Sequence, residues 1–159
     1  MKKSVLHATA GALAMVTVAT FWTSTLISEL LLGHEAIVIV KHAIAYGLIP
    51  LVILMAGAGG SGFILARGRK GRLVEGKKKR MPMIGANGLL VMIPCALFLN
   101  TKAASGEFDT IFYIVQVIEL VVGVVQLTLL GRNFRDGLKL VGRLRAPVRT
   151  ADDSCAEKR

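Results

Sequence analysis

A chain of 159 residues has room for one domain and little more, and 53% of it is hydrophobic against 19% charged. The net charge of +10, with a pI near 10.1, would suggest nucleic acid in a soluble protein. Aromatic residues are only 6% of the chain, no basic stripe alternates with stacking side chains, and the charges fill gaps between long apolar blocks; that pattern excludes a nucleic-acid binder and an ordinary soluble domain, and fits membrane topology.

Four apolar blocks follow one another, at about 5–32, 36–66, 81–99 and 110–130. A helix needs about 20 apolar residues to cross the ~30 Å hydrocarbon core, and each block meets that length or nearly so. In lipid every backbone donor and acceptor must be paired within the segment. The blocks are too long and too evenly apolar for barrel strands. The fold class expected is therefore all-α, an integral membrane bundle of four helices.

In the first block Lys2 and Lys3 precede an apolar run that continues to Leu32. Ala12-Leu13-Ala14 has a small-x-small form, but the run before it is too short for a signal peptide and the run after it does not stop, so a retained helix is expected. Thr17, Thr20, Thr23, Ser24, Thr25 and Ser28 form a hydroxyl stripe expected to bond carbonyls of their own or a neighbouring helix. Trp22 fits a packed or interfacial aromatic.

Gly33-His34-Glu35 is a short turn to the second block, making a tight antiparallel hairpin. Positions equally far from that turn share a depth, which sets Glu29 within a turn or two of Lys41, with His42 beside it and Tyr46 one turn further in. Two readings stay open for this group. It is an ion pair near the outer interface, with Lys41 snorkelling, or a small polar site for a proton, an ion or an anionic group. Pro50 predicts a kink. Gly57-Ala-Gly59-Gly60-Ser61-Gly62 spells G-x-G-x-x-G, yet no strand precedes it and no helix opens after it, as a dinucleotide site requires. The pairs Ala56/Gly60, Gly57/Ser61 and Ala58/Gly62 instead predict close helix packing.

Eight basic residues lie between Arg67 and Arg80 and eight more from Arg132 to Arg159, so with Lys2 and Lys3 these segments hold 18 of the 20. Lys41 and Lys102 lie towards the other side, with Glu35, Glu107 and Asp109. The bias places both ends of the chain in the cytoplasm. In the fourth block Glu119 falls near the middle of the span, with Gln116 and Gln126 close by. A carboxylate there costs about 3 kcal/mol on insertion scales, so it is neutral, paired or facing water. Asn87 or a threonine of the first helix is the expected structural partner. Beyond Leu130, Phe134, Leu138, Val141 and Leu144 recur among basic residues and predict an interfacial amphipathic helix at about 132–146. Pro147 ends it, and 147–159 is expected to be a disordered tail.

The histidines raise the question of haem held between helices. His7 and His42 fall about 25 residues apart in depth, too far for two ligands of one iron, while Met81 or Met83 shares the level of His7. Cys95 and Cys155 lie at different depths and do not suggest a disulfide. No Ser–His–Asp, HExxH or P-loop pattern is present, so no catalytic machinery is expected.

Thr20-Phe21-Trp22-Thr23-Ser24-Thr25, Gly60-Ser61-Gly62-Phe63, Arg80-Met81, Asn87-Gly88-Leu89-Leu90, Phe112-Tyr113 with Glu119-Leu120, and Arg135-Asp136-Gly137-Leu138 resemble a group of small bacterial inner-membrane proteins. The resemblance covers about residues 5 to 143. It implies four spans and a bacterial plasma membrane, and brings no activity, cofactor or site with it. Three functions remain as expectations. The first is a non-catalytic component binding a membrane partner or a second copy through small-residue faces, its basic side held to anionic lipid. The second is a small carrier or proton-coupled protein using Glu119 with Glu29, Lys41 and His42. The third is a haem electron-transfer protein with His7 or His42 as ligand.

Overall fold

The structure, a computed structural model, describes residues 2–66 and 72–145. Helix α1 spans Lys2–Leu31 and α2 spans His34–Ala66; α3 (Arg72–Asn87) runs through a π turn at Gly88–Met92 into α4 (Ile93–Ala104), and α5 spans Thr110–Arg145. Four stretches within these helices are long and apolar enough to cross a membrane: Val5–Leu31, His34–Ile64, Lys79–Ala104 and Thr110–Lys139. No strand occurs among the described residues. Large side chains such as Leu30, Leu31, Ile49, Ile53, Leu90 and Val121 stand exposed around the outside. That apolar shell is incompatible with water and natural in lipid.

The turn end of the bundle holds two short connections. Only Leu32 and Gly33 separate α1 from α2, so His34 belongs to the helix rather than to the turn. The Gly33 carbonyl accepts from the Ala36 amide at 3.0 Å and starts α2. The second connection follows α4, where Gly106 takes φ +70°. The Glu107 amide reaches the Lys102 carbonyl and the Gly106 amide the Ala103 carbonyl, both at 3.0 Å; this Schellman arrangement needs a left-handed residue, which glycine supplies without strain. Asp109 then caps α5, its Oδ1 accepting from the Phe112 amide at 2.8 Å. Lys102 donates to Glu107 at 2.6 Å and to Asp109 at 2.9 Å. The Lys102 ammonium, and after it the Phe112 amide, hold the Asp109 carboxyl below its ordinary value of 3.8.

Two elements differ from expectation. The third span is broken by the π turn. Pro94 has no N–H and its ring crowds the Leu90 carbonyl, so the preceding turn widens and the Ile93 amide bonds the Gly88 carbonyl, five residues back. Pro50 sits inside α2, which continues past it. Second, α5 runs unbroken to Arg145, so the separate helix expected at 132–146 is the end of the fourth span itself. Its 36 residues make about 54 Å at 1.5 Å each, longer than a whole bilayer. The tail at 147–159 lies outside the described residues.

The buried faces follow heptad-like steps. On α1 the inward residues are Ala10, Ala14, Val18, Thr25 and Ser28; on α2, Ile37, Lys41, Ile44 and Leu48. On α5 they are Phe112, Gln116, Glu119, Gly123 and Gln126. Two apolar clusters result. One, near the turn end, joins Ile37, Leu99, Ala103 and Phe112. The other, deeper, joins Ile44, Leu48 and Ala96 with Phe21 and Ile93 packed against them.

Candidate functional site

Lys41 occupies a core position of α2 between those clusters, with Ile37 one turn before it and Ile44 one turn after. It is fully buried, 0% exposed. The matching inward position on α5 is Glu119, and Lys41 Nζ lies 2.8 Å from Glu119 Oε2. Gln116, one turn along α5, directs Nε2 at the same oxygen from 3.4 Å, a distance at which the bond is weak. Taking two such charges out of water costs several kcal/mol per ion, and their attraction offsets this only when hydrogen bonds satisfy the remaining atoms.

Here they do not. Lys41 has three donors, and Glu119 is its hydrogen-bond partner. Gln116 is 3% exposed and its Oε1 has no hydrogen-bond partner; neither do the buried Glu29 Oε1, Asn100 Oδ1 and His42 Nδ1. From α1, Glu29 lies within electrostatic reach of Lys41, Glu119 and His34. Cys95 of α4 feels the same pair. Thr25 and Ser28 complete the α1 wall; the Ser28 hydroxyl donates to the Thr25 carbonyl at 3.0 Å. The site sets unpartnered acceptors beside unfilled Lys41 donors and carries two carboxylates against one ammonium.

Apolar residues flank the pair along the bundle axis in both directions on α2 and α4, and on α5 towards the turn end through Phe112. The exception is α1, where half-buried Glu29 stands two residues from the helix end at Leu31.

The expected site residues divide accordingly. Glu119, Gln116 and Lys41 come together, with Glu29 beside them rather than bonded to Lys41. The expected Glu29–Lys41 pair is thus a Lys41–Glu119 pair, because Lys41 points across the bundle. His42 is on the adjoining face of α2. Tyr46 is 72% exposed and turns away. Asn87, an expected partner of Glu119, donates instead to Gln126 Oε1 at 2.8 Å, while Gln126 Nε2 donates to the Ile84 carbonyl at 3.2 Å, where the α-helix gives way to the π turn. Sequence reasoning missed a second ion pair, Arg80 to Asp136 at 2.7 Å, near the basic end.

The small-residue segment splits as well. An added Cβ on Gly62 would strike Met81 Cε and the His7 ring, and His7 Nδ1 lies 2.9 Å from the Ala58 carbonyl and 3.2 Å from Ser61 Oγ. Gly57, Gly59 and Gly60 meet nothing within 4 Å, so the packing expected of Gly57 and Gly60 is not made inside the bundle. His7 and Met81 do meet, but both press on one glycine Cα, which leaves no width for a haem between them. His42 lies far up α2 from that level. The residues do not fit the group. The hydroxyls behave as expected: Thr17, Thr20 and Thr23 each donate to the carbonyl four residues back.

Comparison with protein families, with curated proteins and with solved structures finds no match to this chain.

Proposed function

We propose that the chain is a proton-coupled protein of a bacterial inner membrane, both ends cytoplasmic, whose proton site is formed by Glu29, Lys41, Gln116 and Glu119. The observation that carries this reading is the buried Lys41–Glu119 pair with a third carboxylate, Glu29, whose Oε1 has no donor. With all three groups ionised the site bears one net negative charge in an apolar surround. One proton on Glu29 removes that charge and converts an unpartnered acceptor into a hydroxyl donor, for which Gln116 Oε1 is an available acceptor. The groups facing Glu29 are Lys41 from α2, Glu119 from α5 and His34 at the start of α2, with Cys95 of α4 facing the pair. An intramembrane acid with a named cationic partner is the usual mark of a proton or ion path.

The test is proton flux into liposomes holding a trapped pH dye, under an imposed gradient. Wild-type protein raises the flux above protein-free liposomes; Glu119→Gln and Glu29→Gln return it to that baseline. Glu29→Gln is the safer variant for folding, because Glu29 is half-buried and its Oε1 bonds nothing. A wild-type flux equal to the baseline, or one that both variants leave unchanged, overturns the reading.

A second reading rests on the open glycine face of α2. There the chain is a non-catalytic component that binds a membrane protein, or a second copy of itself, through Gly57, Gly59 and Gly60. Its basic end is held to anionic lipid, with Phe134 and Leu138 exposed at headgroup level beside Arg132, Arg135 and Lys139. Leucine at Gly57 or Gly60 then abolishes a cross-linked complex while insertion stays normal. Persistence of that complex places the surface elsewhere.

A further inference from the structure

The inward stripe of α5 is polar almost from end to end: Gln116 and Glu119, then Gln126 one turn past Gly123, then Asn133 and Asp136, the last two facing Arg80. Such a stripe would join the two faces of a membrane if nothing interrupted it. Gly123 is the break. A Cβ there would lie 2.6 Å from Trp22 Cδ1 and 3.2 Å from Trp22 Nε1, so the indole rests directly on the bare backbone of α5. Its Nε1 donates to the Leu120 carbonyl at 3.0 Å, which fixes the ring in place.

The inward face of α1 changes character at Trp22. On the turn-end side α1 presents Thr25, Ser28 and Glu29; on the basic side it presents Val18, Ala14 and Ala10. The deeper apolar cluster of Phe21, Ile44, Leu48, Ile93 and Ala96 lies beyond Lys41 in the same direction. Gln126 belongs to a separate polar group with Asn87.

We infer that Trp22, seated on Gly123, is the main barrier between the Glu29/Lys41/Glu119 site and the basic end, so that the site exchanges freely past Glu29 with the turn end while protons cross to Gln126 only slowly. The inference rests on the proton-site reading and adds its sidedness. Glycine at 123 is required because any side chain would lift the indole out of the seam. Tryptophan suits the place because it fills the section while its one donor finds a backbone acceptor.

The experiment uses the same dye-loaded liposomes, with the proton itself as probe. Trp22→Ala, and Trp22→Leu as a milder change in case the first misfolds, raise passive flux roughly tenfold, the effect of lowering a barrier by about 1.4 kcal/mol. Trp22→Phe keeps most of the bulk and keeps the wild-type flux. Adding Glu29→Gln to either leaky variant removes the extra flux, since the path runs through the site. In a Cys95→Ser background, a membrane-impermeant maleimide applied at the turn end modifies Thr25→Cys but not Val18→Cys, and Trp22→Ala exposes Val18→Cys as well. If both Trp22 variants keep wild-type flux, or if Glu29→Gln leaves the extra flux intact, the barrier is elsewhere and the inference falls. In that case the effect of Glu29→Gln on wild-type flux still decides the proton site separately.

Discussion

Lys41 lies fully buried with one carboxylate opposite, and its stability effect depends on which partner is removed. Methionine at 41 leaves Glu119 charged and alone, a situation that costs about 3–5 kcal/mol where a buried pair is broken. Glutamine at 119 strands the ammonium instead. The double variant Lys41→Met/Glu119→Gln removes both charges and recovers most of the loss. Unfolding by SDS titration of the three proteins distinguishes this from a pair with no energetic role, for which the two single losses add in the double.

Asp109 makes a contrasting case at the surface. Its folded carboxyl sits below 3.8, held there chiefly by Lys102 and then by the Phe112 amide. A depressed value means that the stabilisation is complete above the unfolded value and is lost as pH falls through the folded one. Wild type and Asp109→Asn therefore differ in thermal stability by a constant amount from pH 7 to about 5, and the gap closes below about pH 4. A gap that instead changed between pH 7 and 6 would assign the effect to another group.

At the level of the helices, Gln126 is the hinge of the third and fourth spans. It bonds both the Asn87 side chain and the Ile84 carbonyl beside the π turn. Gln126→Leu loses both bonds and strands the Asn87 amide, at a cost of about 1–2 kcal/mol in a membrane interior. Hydrogen exchange at Gly88–Met92 speeds up in that variant, whereas Thr128→Val, whose hydroxyl serves only its own helix, leaves the turn as it was. The four spans were legible in the sequence because hydropathy and length alone decide them. The run of α5 past Leu130 was not, because charge was taken as the end of a span. No proline intervenes before Pro147 to stop the helix, and Arg, Lys and Leu favour its continuation. The partner of Lys41 was hidden for another reason. Equal distance from a turn gives level, but only the inward steps 37/41/44/48 and 112/116/119/123/126 give facing. Trp22 on Gly123 left no signal beyond a glycine in an apolar helix.

For the whole bundle, the interior is held by polar pairs at three levels: Lys41–Glu119, Asn87–Gln126 and Arg80–Asp136. The lipid-facing surface carries both large side chains and the bare glycines of α2. A small-xxx-small pattern states that backbones can approach closely and says nothing about which face they use. Here the face divides within six residues, and substitution to alanine reads the division. At Gly57 and Gly60 an added methyl meets open space, so alanine contributes only its helix preference and raises stability of the isolated protein by up to about 1 kcal/mol each. At Gly62 the same methyl must displace the Met81 methyl and the His7 ring; alanine gives no gain there, and valine costs about 1–3 kcal/mol by overpacking. The measurement is SDS unfolding of the monomer at low protein-to-detergent ratio, repeated at high protein density in bicelles. If Gly57→Ala and Gly60→Ala stabilise in the first condition and destabilise in the second, another helix occupies that face when copies are crowded. If they stabilise in both, the face belongs to lipid and the second reading of the function loses its surface.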